Sequence, residues 1–201
     1  MRTEQTQKLI DKYEKFSQTF ENDSLKSSLR TDILKLYSEI NNPNAEAYYT
    51  MGLFHYMNYD EETSKGLLNE ITNKALSFFK KSIDSDSNYY MSNYYLGHCY
   101  QDLGQHEKAI EYYLKVNQKK LKEDFPLWRF VLLLELIGYC YWKTDQKDIG
   151  MEYFEKTSSE YLVLQDYYDI IPIGDLIEEC LTGIHSLVIE MKAYYEMKSN
   201  E

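Results

Sequence analysis

The stretch Ser92-Asn93-Tyr94-Tyr95-Leu96-Gly97-His98-Cys99-Tyr100, followed at set distances by Gly104, Ala109 and Tyr113, recurs in altered form on both sides of itself. Ala75 and Phe79 precede Ala109 and Tyr113 by 34 residues, and Gly97 has counterparts in Gly52 and Gly138, each behind an apolar residue in an aromatic-rich, helix-like stretch. A period of this length predicts stacked helical hairpins, because one hairpin cannot bury its apolar face alone. Such arrays present a surface to another macromolecule, so the pattern speaks to architecture before it speaks to function.

The totals agree with a helical chain. With 201 residues, three prolines, eight glycines and no Gly/Ser/Pro-rich stretch, positions 1–201 read as one all-α domain. A formal charge of −11 disfavours nucleic acid and anionic membrane as partners, since phosphate binding needs a basic surface, and favours a neutral or basic partner. Cys99, Cys140 and Cys180 make neither an even disulfide set nor a CxxC pair, which fits a reducing compartment. The first seven residues are polar and lack the apolar core of a signal peptide, and a cytoplasmic location is expected. The most hydrophobic region, Phe125 to Trp142, is interrupted by Arg129 and Glu135; a buried helix is expected there and a membrane span is not.

Before the repeats, Leu9, Tyr13, Phe16 and Phe20 line one face of a helix over about 3–20, and Leu25, Leu29, Ile33, Leu36 and Ile40 do the same over 24–40. Asn41-Asn42-Pro43-Asn44 stops the second helix, because the residue before a proline disfavours helical geometry. From about 45 to 160 the pattern resembles the tetratricopeptide repeat (TPR) family. Leu96, Gly97, Tyr100, Ala109 and Tyr113 match its positions 7, 8, 11, 20 and 24; Tyr48, Met51, Gly52, Ala75 and Phe79 form a first copy, with His55 where an apolar residue is usual; Leu134, Ile137, Gly138, Tyr141, Gly150 and Phe154 form a third. None of the copies has the family's closing proline. The resemblance implies a right-handed α-solenoid with extra helices in 1–42, three repeats in 45–160, and a connection and capping helix in 161–201.

Two departures from the period predict longer helices. Gly52 to Ala75 is 23 residues instead of 12, an excess of about three helical turns, which assigns an extended helix near 58–70 with Thr63-Ser64 as its cap. Gly97 to Gly138 is 41 residues, an excess of about two turns, which assigns a second extension near 118–130, capped by Asp124 with Pro126 in its first turn. The final helix carries Ile177, Leu181, Ile184, Val188, Met191 and Tyr195, and serves either as a cap or as a homodimer seam.

No catalytic constellation is present: GxGxxG, GxxxxGK[ST], GxSxG and HExxH are absent, and His55, His98, His106 and His185 are scattered. His98 and Cys99 are neighbours that point to different helix faces, and Cys99 and Cys140 share one repeat position, which reads as small core residues. No metal, cofactor or enzymatic activity is expected. The TPR resemblance implies a concave groove lined by the first helix of each unit. Mapping those positions selects Tyr49 and Tyr56, then Tyr94, His98, Gln101 and Asp102, then Glu135, Tyr139 and Trp142 as partner-binding residues. Tyrosine and tryptophan suit such a groove because they bury much area while keeping a polar tip; the alternative is that the chain's own helices fill it. The cations of a carboxylate-clamp TPR are absent from these positions. The expected function is a non-enzymatic module binding a protein or peptide through this aromatic, acidic groove or the extended helix ends, with a dedicated inhibitor or immunity protein and a peptide sensor as alternatives.

Overall fold

A computed structural model describes residues 3–19, 22–57 and 65–168, and among them every regular element is a helix. In chain order these are α1 (Glu4–Ser17), α2 (Asp23–Ser38), α3 (Ala45–Tyr56), α4 (Lys65–Ser85), α5 (Tyr90–Asp102), α6 (His106–Tyr113), α7 (Gln118–Asp124), α8 (Leu127–Lys143) and α9 (Lys147–Tyr168). The chain divides into two compact units, 1–120 and 121–201. In the first, α1 packs on α2, α3 on α4 and α5 on α6; in the second, α8 packs on α9.

Local chemistry sets the helix starts. Thr3, Asn22 and Asn44 each accept a hydrogen bond from the backbone N–H three residues on, at 3.1, 2.9 and 2.9 Å, satisfying donors that the first turn leaves open. Asn42, at φ 58°, turns the chain just before Pro43. At the ends of α5 and α8 the same device recurs 41 residues apart. Gly104 (φ 70°) and Asp145 (φ 60°) take left-handed geometry, and the N–H groups of Gln105 and Gln146 reach back to the carbonyls of Tyr100 and Tyr141 at 2.8 and 3.0 Å.

Inside each hairpin the repeat glycine answers one aromatic ring. A Cβ on Gly52 or Gly97 would come within 3.0 Å of the ring of Phe79 or Tyr113, and one on Gly138 would lie 2.9 Å from Phe154. Between α8 and α9 small residues also bring the backbones together, since a Cβ on Gly150 would sit 3.0 Å from the Gly138 carbonyl; in the other two hairpins the glycine seats a ring. Immediately before each of these rings lies another aromatic, stacked on a ring of the first helix: Phe78 on His55 (5.3 Å, 17°), Tyr112 on Tyr100 (5.3 Å, 14°) and Tyr153 on Tyr141 (5.7 Å, 21°). His55 thus occupies an aromatic position of the repeat.

The N-terminal helices also form a hairpin. Leu9 and Phe16 of α1 and Leu29 and Ile33 of α2 share one core with Met51 and Phe54 of α3. Of the extension assigned to 58–70, the part from 65 lies in α4, which has 21 residues against eight in α6; residues 58–64, with Thr63 and Ser64 expected to cap it, lie outside the described residues. The second extension is not one helix. Asp124 ends α7, and Pro126 takes the N-cap position of α8 at φ −55° and ψ 142° instead of lying in its first turn. The proline ring forces residue 125 out of helical geometry, so the inserted residues become α7 and a longer start to α8. The helix expected over Ile177 to Tyr195, and any dimer seam on it, lie outside the described residues.

Three helix ends meet through buried serines. Ser92 Oγ donates to Ser82 Oγ at 2.7 Å, and Ser82 Oγ donates to the Ala45 carbonyl at 2.7 Å, with both serines fully buried. Ser82→Ala should cost about 1–3 kcal/mol, because it strands the Ala45 carbonyl and the Ser92 hydroxyl away from water. A lower urea midpoint at unchanged m-value would register that loss.

A candidate binding surface on the central hairpins

Six of the nine residues selected from sequence, Tyr49, Tyr56, Tyr94, His98, Gln101 and Asp102, lie on α3 and α5 in the first unit. Their centre is Tyr95, which no groove position of the repeat selects. Its ring lies 5.9 Å from Tyr49, 5.9 Å from Tyr56, 5.3 Å from Tyr94 and 5.8 Å from His98, and stacks on Phe79 at 5.4 Å and 15°. Only the run of two tyrosines hints at this role, since neighbours on a helix cannot both face one groove. Tyr13 of α1 also comes close to Tyr95, and burial drives its phenol pKa well above the ordinary range.

These residues are not equally open. Tyr94 is only 3% exposed, wedged between His98 (4.7 Å) and Tyr113 (6.4 Å). Gln101 accepts a 3.0 Å hydrogen bond from the Tyr113 hydroxyl, so its amide braces the core ring from above. Tyr49, Tyr56 and His98 remain half-buried and Asp102 is exposed.

The Tyr56 hydroxyl donates to the Asp102 carboxylate at 2.7 Å, joining the C-terminal ends of α3 and α5. Tyr56 also faces His98 at 6.4 Å. Loss of solvent around Asp102 raises its pKa, against the lowering effect of the Tyr56 hydrogen bond. Among the described residues no cation pairs with Asp102. A carboxylate bordered by tyrosine and imidazole rings can receive a cation, which gains both charge pairing and attraction to ring faces.

In the second unit, Glu135, Tyr139 and Trp142 share α8. Trp142 is 6% exposed, packed with Met151, Phe154 and Tyr139, and its ring lies under the Lys147 ammonium at 5.4 Å. Lys143 covers Tyr139 at 5.4 Å. Two of the chain's own lysines thus lie over these rings. Glu135 is half-buried, and desolvation pushes its carboxyl up to about 7.

Cys99 and Cys140 are fully buried free thiols; burial pushes Cys140 up to about 12 and Cys99 well above its ordinary range, which removes thiolate reactivity from both. Among the described residues no group of His, Cys, Asp and Glu is placed to hold a metal, and no helix is long and apolar enough to cross a membrane.

Comparison with known proteins agrees at the level of fold. The family model "Regulator of microtubule dynamics protein 1-3" matches residues 34–124, less than half of the chain and the part that carries α3 to α6. No curated protein matches the sequence. Among solved structures, a crystal structure of MamA superposes with a TM-score of 0.57 at 22% identity, covering 81% of each chain. A second MamA structure does so with 0.55 at 21% identity, covering 82% of this chain and 77% of that one. The chain is accordingly an all-α helical-repeat protein of the solenoid class.

Proposed function

We propose that the chain is a non-enzymatic protein-binding module whose α3–α5 surface takes a basic side chain of its partner. The observation that carries this reading is Asp102: an exposed, partly desolvated carboxylate held by the Tyr56 hydroxyl at 2.7 Å, bordered by aromatic rings and paired with no cation among the described residues. A lysine or arginine would supply the missing charge and lie against the Tyr56 and His98 rings. The helical-repeat fold supports the reading, since such arrays work by presenting surfaces. So does the charge of −11, which speeds encounter with a basic partner. Tyr94 and Trp142 contribute by fixing the fold, while Tyr49, Tyr56, His98 and Asp102 make contact.

The test is affinity capture of the tagged full chain from its own cells at low and high salt, comparing wild type with Asp102→Asn and with Tyr56→Phe. Both changes keep the side-chain shape. A dominant basic partner, weakened by salt and bound at least tenfold more weakly by Asp102→Asn, is expected; a partner retained equally by both variants overturns the assignment. The same capture separates versions of the function: one stoichiometric protein fits an inhibitor or immunity role, whereas a short peptide fits a sensor.

A further inference from the structure

At the start of α8 stands a group complementary to Asp102. The Arg129 guanidinium lies 4.5 Å from the centre of the Phe125 ring and 5.1 Å from that of Trp128, and among the described residues no carboxylate pairs with it. Pro126 at the N-cap opens α8, so Arg129 falls in its first turn, where the helix dipole disfavours a cation. Helix stability therefore does not account for an arginine there. Its contact with Phe125 covers that ring but leaves Trp128 open at 43% exposure, whereas Trp142 is 6% exposed. Arginine beside an exposed tryptophan is the composition of an interface anchor.

The α3–α5 surface offers the matching features. The Asp102 carboxylate is held by the Tyr56 hydroxyl at 2.7 Å and pairs with no cation among the described residues. Met57, the residue after Tyr56 and the C-cap of α3, is 45% exposed. Each of the two charges thus stands beside a large apolar side chain that faces water. A planar guanidinium can meet a carboxylate edge-on while lying against an aromatic ring, and a thioether packs well against an indole.

We propose that copies of this chain associate head to tail, the Arg129–Trp128 corner of one copy docking on the Asp102–Tyr56–Met57 surface of the next. The second copy is selected by charge and shape class together: it carries a guanidinium for the carboxylate and an indole for the methionine. The two patches differ, so the contact is heterologous, and each added copy leaves one acceptor and one donor free for a ring or an open chain. The charge of −11 repels copies at long range, but physiological salt screens that repulsion beyond about 8 Å and leaves a pair in contact. This inference rests on the Asp102 reading for its acceptor; the cation received there is the chain's own.

Sedimentation velocity of the full chain at physiological salt, over a wide range of concentration, tests it. The average mass of the wild type should rise with concentration, and Asp102→Asn and Arg129→Met should each weaken association at least tenfold. Trp128→Ala should weaken it in the same direction. An equimolar mixture of the first two variants gives the decisive reading. The Asp102→Asn chain keeps its Arg129 corner and the Arg129→Met chain keeps its Asp102 surface, so the mixture should form a dimer and stop there. That recovery also shows both variants to be folded. A mass that stays monomeric throughout overturns the proposal, as does association unchanged by both substitutions or a mixture that forms no dimer. Such a failure leaves the Asp102 reading standing where capture from cells yields a foreign basic partner that Asp102→Asn loses; failure of both removes the acceptor itself.

Discussion

Gly97→Ala should destabilise the protein by about 2–3 kcal/mol, although alanine is the better helix former by roughly 1 kcal/mol. The added methyl would enter the van der Waals shell of the Tyr113 ring, approaching its Cγ at 2.8 Å. That ring has nowhere to go: Tyr113 is 0% exposed, its hydroxyl is held by Gln101, and its edge meets Tyr94 and His98. Overpacking of an immobile ring therefore exceeds the propensity gain. A melting temperature lower by several degrees is the expected reading, at roughly 2–4 °C per kcal/mol for a chain of this size. The cost should shrink in a Tyr113→Leu background, and the resulting coupling energy identifies the ring as the cause. Gly66→Ala is the contrast, because a Cβ there meets nothing within 4 Å; it should be neutral or slightly stabilising. Equal effects at Gly66 and Gly97 would contradict the ring-seat account.

Acidification should loosen the first unit through His55. Burial, with a smaller contribution from Lys74, lowers its pKa from 6.5 to about 4 in the folded chain. Between those values the unfolded chain binds a proton that the folded chain refuses, so stability falls as pH drops from about 6.5 to about 4 and is complete again only above that window. The limit is about 3 kcal/mol, from a shift of this size at 1.36 kcal/mol for each pH unit. His55→Phe should flatten the acid limb while preserving the stack on Phe78. Glu135 acts in the opposite direction in the second unit. Desolvation raises its pKa from 4.5 to about 7, so there the folded form binds the extra proton and α8–α9 gains stability as pH falls through the same range. Hydrogen exchange resolved by segment reads both effects: protection in α3–α4 should decline from pH 7 to 5 while protection in α8–α9 rises. Glu135→Gln should remove the second trend and leave the first. Parallel trends in the two segments would refute this assignment of groups.

How much of this was legible in the residues differs from element to element. Gly52, Gly97 and Gly138 announced three hairpins because a ring seat tolerates no Cβ, and that constraint pairs each glycine with an aromatic, 16 residues on in the second and third copies and 27 in the first. The hairpin of α1 and α2 has no such ring seat; Leu9, Phe16, Leu29 and Ile33 fill its core with ordinary aliphatics and one phenyl, so it showed only amphipathic spacing. Asp102 and Tyr56 were chosen by position, but their hydrogen bond spans 46 residues, and no local pattern encodes a contact of that range. Tyr95 escaped selection because it faces inward between hairpins, while Tyr94 was selected and proves to be buried. The histidine at position 55 was visible as an oddity; that it borders a cavity required the placement of α2 and α4.

The sequence by itself determined the helical class, the hairpin repeat and the inert placement of Cys99 and Cys140. Each of these follows from spacing along one helix or one period, and helix geometry is local. Only the tertiary structure decided which aromatic rings stay open, which carboxylate at the α3–α5 surface pairs with no cation among the described residues and where a buried imidazole meets a cavity. Those properties depend on side chains brought together from helices far apart in the chain, and their exposure is set by whatever packs against them.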